Sequence, residues 1–125
     1  MSNPVALVVE DDRDLAALFA IALRMAGVET EIVHAGDTAL ARLDVLVPDL
    51  VVLDLHIPRT AGIDILRQIR ADVRLSGTRV VVVTGDTLAA EDIRNQADQV
   101  LIKPFSFDEL QDLAMGLIRV GSPDE

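Results

Sequence analysis

The chain has 125 residues, half of them hydrophobic, and its 11 basic and 21 acidic residues give a net charge of −10. That length suits a single domain with its own core, and the acidic balance argues against a domain that binds nucleic acid by itself. Cysteine is absent, which excludes disulfides and thiolate metal sites, and the start of the chain shows no signal-peptide pattern, so we expect a cytoplasmic protein.

Short β-branched runs alternate with segments of helical periodicity along the chain. Strands are predicted at residues 4–9, 28–33, 50–53, 80–83 and 100–102. Helices are predicted at residues 13–26, 37–46, 63–73, 87–96 and 107–119. Strict alternation of this kind predicts an α/β fold, a single doubly wound (βα)5 domain around a five-stranded parallel sheet. We expect this domain to span residues 1–120 and residues 121–125 to form a disordered tail.

Polar side chains follow the predicted strands at the points where the strands end. In a parallel sheet these points share one edge, and the active groups of such folds gather there. The second strand ends in His34-Ala35-Gly36 and offers less chemistry than the others. The other four strands bring to this edge Glu10, Asp11 and Asp12, then Asp54, Thr84 and Lys103. The edge therefore collects carboxylates, one hydroxyl and one ammonium.

Each of these residues also has an ordinary structural explanation. Asp11 or Asp12 could cap the helix that follows, because aspartate is a preferred N-cap residue. Asp54 stands before a loop that contains proline and could be a turn residue. Thr84 is common at the end of a strand, and a single Lys103 is usually a solvated surface charge. It is the joint placement of these groups that favours a functional site.

The combined chemistry of these groups favours phosphoryl transfer. Carboxylates that face each other repel unless a proton or a cation lies between them, and an all-oxygen cluster suits Mg²⁺. A carboxylate next to such an ion is a plausible nucleophile toward phosphorus and would form an aspartyl phosphate. Thr84 and Lys103 would then bind the oxygens of the transferred group.

Taken in this order, the motifs resemble the receiver domain of bacterial two-component response regulators, and the resemblance spans the whole chain. The motifs are VVEDD at 8–12, VVLDLHIP at 51–58 with Gly62, VVVVTGD at 80–86 and LIKPF at 101–105. The resemblance implies the flavodoxin-like strand order 2-1-3-4-5, as in the chemotaxis members of this group.

The resemblance also implies how the phosphoryl group is handled. Asp54 matches the residue that accepts it from a histidine kinase or a phosphotransfer protein. Thr84 and Lys103 match the hydroxyl and the lysine that complete the catalytic set, and Lys103-Pro104 matches a position where the peptide bond is often cis. Such a domain catalyses only its own phosphorylation and dephosphorylation, so we do not expect an enzyme with a separate substrate.

The metal ligands follow from the same resemblance. Mg²⁺ would be held by the side chains of Glu10, Asp11 and Asp54 and by the backbone carbonyl of His56. The imidazole of His56 is not an expected ligand. Asp12 matches a less fixed position and keeps its interpretation as a helix cap.

Two departures from the family pattern, together with a short and weakly patterned fourth helix, leave an alternative open. Val100 stands where an aromatic residue is usual, and Gly85 stands where alanine is common. Both positions affect how a signal leaves the domain, so the chain could be a constitutive interaction module with a receiver fold. A hydrolase that uses Asp54 is a weaker possibility, because His56 replaces the second aspartate that such a mechanism would need.

The expected partners are a sensor histidine kinase or phosphotransfer protein and a downstream protein that the sequence does not identify. Direct contact with nucleic acid or a membrane is not expected, and a homodimer is possible. The sequence leaves open whether these 125 residues are a whole protein or a fragment.

Overall fold

The computed structural model describes residues 3–121, with side chains described as far as residue 116. Its strands are β1 (Val5–Val9), β2 (Glu29–Val33), β3 (Leu50–Asp54), β4 (Arg79–Thr84) and β5 (Gln99–Ile102). They form one parallel sheet in the order β2-β1-β3-β4-β5. The fold class and the strand order expected from the sequence are confirmed.

Five helices connect and cover these strands. They are α1 (Arg13–Met25), α2 (Gly36–Leu43), α3 (Gly62–Ala71), α4 (Thr87–Ile93) and α5 (Phe107–Gly121), with a 3₁₀ turn at Val73–Leu75. None of the helices in the described part of the chain is long and apolar enough to cross a membrane. Gly121, the first residue of the expected tail, is the last residue of α5, and residues 122–125 lie outside the described residues.

The helix ends differ from the predicted ones for local reasons. The second helix ends at Leu43 instead of residue 46, because the chain must turn extended before Pro48. The third helix ends at Ala71, where Asp72 adopts an extended conformation and its carboxylate accepts a hydrogen bond from the N–H of Arg74 at 3.0 Å. The fourth helix ends at Ile93, three residues earlier than predicted.

The core lies on both faces of the sheet. Alternate residues of β1 point to opposite sides: Leu7 and Val9 enter one buried layer, and Ala6 and Val8 enter the other. The first layer is completed by residues of α2, α3 and α4, and the second by residues of α1 and α5. Both faces of the sheet are therefore apolar. The polar side chains of the predicted site lie at the carboxyl edge of the sheet.

Gly62 sets the shape of the loop that follows β3. Its N–H donates to the carbonyl of Leu55 at 3.2 Å. A Cβ atom at this position would lie 2.5 Å from the Leu55 Cα and 2.6 Å from the Asp54 carbonyl oxygen. Glycine is therefore required here by the close approach of the two backbones.

Replacing Gly62 with alanine should destabilise the fold, because the Leu55 backbone cannot give way as a flexible side chain would. We expect Gly62→Ala to lower the free energy of unfolding in urea by about 1–3 kcal/mol. Gly77→Ala is the matched control, since no atom lies within 4 Å of the added Cβ and its effect should be small. Equal effects of the two substitutions would contradict the close-approach argument.

Candidate functional site

Three acidic side chains converge at the carboxyl edge of the sheet. Val9 in β1 is paired with Leu53 in β3. Glu10 and Asp54 are the next residues along these two strands, so they lie side by side. Glu10 and Asp54 are buried, while Asp11 is exposed. One carboxylate oxygen from each of the three residues lies within 4.8 Å of the others. The structure therefore brings together three of the predicted metal ligands.

Lys103 completes this cluster from the end of β5. Its Nζ lies 3.3 Å from Oδ2 of Asp54 and 3.6 Å from Oε1 of Glu10. The Lys103 N–H donates to the Thr84 carbonyl at 2.9 Å, and the Lys103–Pro104 peptide is cis, as the resemblance implied. Burial lowers the pKa of the Lys103 ammonium, but the charges of Asp54 and Glu10 outweigh it and the net pKa is raised. The lysine is therefore cationic at neutral pH.

Glu10 is the most confined charge of the cluster, with 1% of the residue exposed. Its Oε2 accepts a hydrogen bond from the Asp12 N–H at 3.1 Å, but its buried Oε1 has no hydrogen-bond partner among the described residues. Burial, with a further contribution from Asp54, raises the pKa of Glu10 from 4.5 to about 8. A buried carboxylate oxygen without a donor, beside two other acids, fits a site for a hard cation.

Asp54 is held by contacts on both of its carboxylate oxygens. The N–H of His56 donates to Oδ1 at 2.9 Å, and Oδ2 faces Lys103. The imidazole of His56 is exposed and is not among the side chains that converge on the acidic cluster.

Thr84, the last residue of β4, is fully buried next to the cluster and is linked to α4. Its hydroxyl oxygen accepts a hydrogen bond from the Asp86 N–H at 3.0 Å. The Asp86 carboxylate in turn caps α4, accepting from the N–H groups of Leu88 and Ala89 at 3.1 Å each. Sequence reasoning missed this cap, although an aspartate directly before a helical segment is the usual signal for one.

The acidic triplet at the end of β1 divides into two functions. The Asp12 carboxylate accepts hydrogen bonds from the N–H groups of Asp14 and Leu15 at 3.0 and 3.1 Å, so its prediction as the α1 cap is confirmed. Glu10 and Asp11 are left to the cluster. Sequence reasoning assigned no role to His34. In the structure its Nδ1 lies 2.8 Å from the carbonyl oxygen of Glu10.

The comparisons agree with this geometry. Residues 6–115 match the response regulator receiver domain family, and the chain belongs to that family. It is thus a receiver domain of the two-component signalling type, as its motifs indicated.

Individual relatives and solved structures match the chain at moderate identity. The DNA-binding response regulator MtrA of Mycolicibacterium paratuberculosis is 40% identical over 107 residues, which cover 83% of this chain and 46% of the relative. The chain therefore spans about half the length of the curated relatives it matches.

The CheY-like receiver domain from Methylobacillus flagellatus is 28% identical with a TM-score of 0.81, covering 93% of this chain and 99% of that one. The receiver domain of the sensor histidine kinase PA1611 from Pseudomonas aeruginosa, solved with a magnesium ion in its active site cleft, is 23% identical with a TM-score of 0.82, covering 94% of this chain and 99% of that one.

The raised pKa of Glu10 predicts a pH dependence of stability in metal-free protein. Because the folded pKa of about 8 exceeds 4.5, the folded state holds the proton more tightly, and stability falls as pH rises between these values. Glu10→Gln should remove this contribution, so that the free energy of unfolding in EDTA varies less between pH 5 and 8 than in the wild type.

Urea titrations at several pH values measure this difference. Glu29→Gln makes the same change at an exposed position of β2 and should keep the wild-type pH dependence. Parallel pH profiles for wild type and Glu10→Gln would show that Glu10 does not carry the effect.

Proposed function

We propose that this chain is a phosphorylation switch, which accepts a phosphoryl group on Asp54 from a histidine kinase or a phosphotransfer protein. The observation that carries the proposal is the position of the Lys103 ammonium, within 3.6 Å of both Asp54 and Glu10 at the end of β5. A nucleophilic carboxylate, a cation and the Thr84 hydroxyl thus share one edge of the sheet. Family membership supports the same function.

The reaction uses the contacts that surround Asp54. A carboxylate oxygen of Asp54 forms an O–P bond while the P–N bond to the donor imidazole breaks and its electron pair stays on the nitrogen. The N–H of His56, at 2.9 Å from Oδ1, orients the nucleophile. Lys103, at 3.3 Å from Oδ2, would bind an oxygen of the incoming phosphoryl group. The product is an aspartyl phosphate on the chain itself, so no separate substrate is turned over.

We assign Mg²⁺ to the acidic cluster. The side chains of Glu10, Asp11 and Asp54 would hold it, together with the backbone carbonyl of His56 that the resemblance implies. The all-oxygen donor set within 4.8 Å and the Oε1 of Glu10, which accepts no hydrogen bond among the described residues, support this assignment, as does the magnesium ion of the PA1611 receiver. When bound, the ion would offset the negative charge of the acids and of the phosphoryl group.

The output is proposed to be a change in protein binding. The MtrA relatives are named as DNA-binding regulators, but the chain covers 46% of their length. The net charge of −10 makes direct contact with DNA by these 125 residues unfavourable. A downstream protein or a second copy of the chain is the more suitable partner for such a surface.

Asp54→Ala should abolish phosphorylation because it removes the only proposed nucleophile. With Mg²⁺ and a small phosphodonor such as acetyl phosphate, the wild type should gain one phosphate by intact-mass measurement and the variant none. Asp44→Ala, an exposed aspartate after α2, is the matched control and should be labelled like the wild type. A wild type that gains no phosphate while a known receiver does would refute the proposed function.

A non-switching interaction module remains the second candidate, and Val100 is the observation that favours it. Val100 is partly buried and packs against the core layer on the α4 side, where its short side chain takes the place of the aromatic ring that is usual in the family. The link from the Thr84 hydroxyl through the Asp86 N–H to the α4 cap favours the switch, because movement of Thr84 would break that link. The two candidates therefore differ in whether a change at Asp54 reaches α4.

Backbone amide NMR shifts on adding beryllofluoride, a phosphoryl mimic, separate the candidates. A switch should show shifts through Asp86 and α4 to β5, and Thr84→Val should confine them to the neighbours of Asp54, because valine lacks the hydroxyl. Thr78→Val also removes a buried threonine hydroxyl, whose hydrogen bond goes to the Pro48 carbonyl, and should leave the spread unchanged. Shifts confined to the surroundings of Asp54 in the wild type would favour the constitutive module.

A further inference from the structure

His34, a residue with no role in the proposed reaction so far, contacts the backbone of the acidic pair. Its Nδ1 lies 2.8 Å from the carbonyl oxygen of Glu10. Because a carbonyl oxygen can only accept a hydrogen bond, Nδ1 must carry the proton and donate. The contact joins residues 24 positions apart in the sequence, and the side chain of His34 is half-buried.

This hydrogen bond replaces one that the sheet would otherwise make. The Glu10 N–H donates to the Val33 carbonyl at 3.1 Å, which continues the parallel pairing of β1 and β2 one step past Val9. In a continuing parallel ladder, the Glu10 carbonyl would accept from the N–H of Ala35. The chain instead leaves the sheet: Ala35 begins the turn into α2, and the Gly36 N–H donates to the Pro58 carbonyl at 3.0 Å.

The carbonyl that His34 contacts belongs to the peptide group between Glu10 and Asp11. The plane of that peptide sets the directions in which the two acidic side chains leave the backbone. With its N–H on Val33 and its carbonyl on His34, Glu10 has both backbone polar groups anchored to the end of β2. The Asp12 N–H then fixes Oε2 of the Glu10 carboxylate at 3.1 Å.

We propose that His34 is a positioning residue for the metal site, which holds the Glu10–Asp11 peptide in the orientation that aims both carboxylates at a divalent cation. The proposal rests on the proposed Mg²⁺-dependent function and adds a residue that supports the ligands without touching the metal. Groups that orient metal ligands in this way typically change metal affinity by about 10- to 100-fold when they are removed.

The test compares His34→Ala with His34→Asn. The side-chain N–H of asparagine stands close to the place of Nδ1–H, so it can donate to the same carbonyl, whereas alanine has no donor. We expect His34→Ala to weaken Mg²⁺ binding about 10-fold, measured by calorimetry and by the amide shift of Asp11, and His34→Asn to restore most of the affinity. Thr30→Val removes another side-chain hydrogen bond in β2, from Oγ1 to the Val28 carbonyl at 3.2 Å, and should leave Mg²⁺ affinity unchanged.

Two measurements keep a structural effect apart from a positioning effect. Urea unfolding in EDTA should show that His34→Ala remains folded and loses no more stability than Thr30→Val. If His34→Ala does not fold, ¹⁵N NMR of the wild-type imidazole at pH 8 decides: protonation at Nδ1 supports the proposal, and protonation at Nε2 overturns it.

The proposed function and this inference fail in different ways. A wild type that binds no Mg²⁺ would overturn both. A wild type that binds Mg²⁺, with His34→Ala binding it equally well, would overturn the role of His34 and leave the function of Asp54 intact. Equal losses for His34→Ala and His34→Asn would likewise count against the hydrogen bond as the cause.

Discussion

The burial of two carboxylates beside one ammonium is the constraint on which the rest of the site depends. Glu10 and Asp54 are both nearly inaccessible, and Lys103 supplies the cation within ion-pair distance of both. One positive charge cannot balance two buried negative charges and the exposed Asp11 beside them. The excess negative charge favours either a proton on Glu10 or a divalent cation, and burial, with a smaller contribution from Asp54, raises the pKa of Glu10 to about 8. Added positive charge, from a proton or a divalent cation, therefore stabilises this group of acids.

The parallel sheet makes this unfavourable arrangement possible. The five strands are fixed by apolar layers on both faces, so the free energy of the core supports the crowding of charge at one edge. The register that pairs Val9 with Leu53 also dictates that Glu10 and Asp54 are neighbours. The same packing that stabilises the fold thus holds the acids together.

The sequence was sufficient for the parts of the site that follow from strand order and insufficient for those that follow from side-chain contacts. Asp54, Glu10 and Lys103 could be placed together because each directly follows or ends an apolar strand, and the carboxyl ends of parallel strands meet. The contact of His34 with the Glu10 carbonyl could not be foreseen, because it depends on where β2 leaves the sheet and on one side-chain rotamer. The ends of α2 and α3 were missed by three and two residues, where Pro48 and the turn at Asp72 decided the last turn. Apolar residues that repeat every two or every 3.6 positions indicate strands and helices. They do not reveal the hydrogen bonds at which a helix ends.

The route by which a change at Asp54 could reach the surface passes through a short and unusual segment. Gly85 separates the Thr84 hydroxyl from the α4 cap at Asp86, and packing does not require glycine there, since an added Cβ would meet only the Lys103 Cβ at an ordinary 3.9 Å. Gly85 therefore acts through the backbone, because glycine increases its conformational freedom. That freedom would weaken the connection between the Thr84 hydroxyl and α4. The Asp86 carboxylate opposes that freedom, because its two hydrogen bonds tie the residue after Gly85 to the first turn of α4. In the proposed switch, the strength of this cap against the flexibility of Gly85 would determine whether movement of the Thr84 hydroxyl reaches α4.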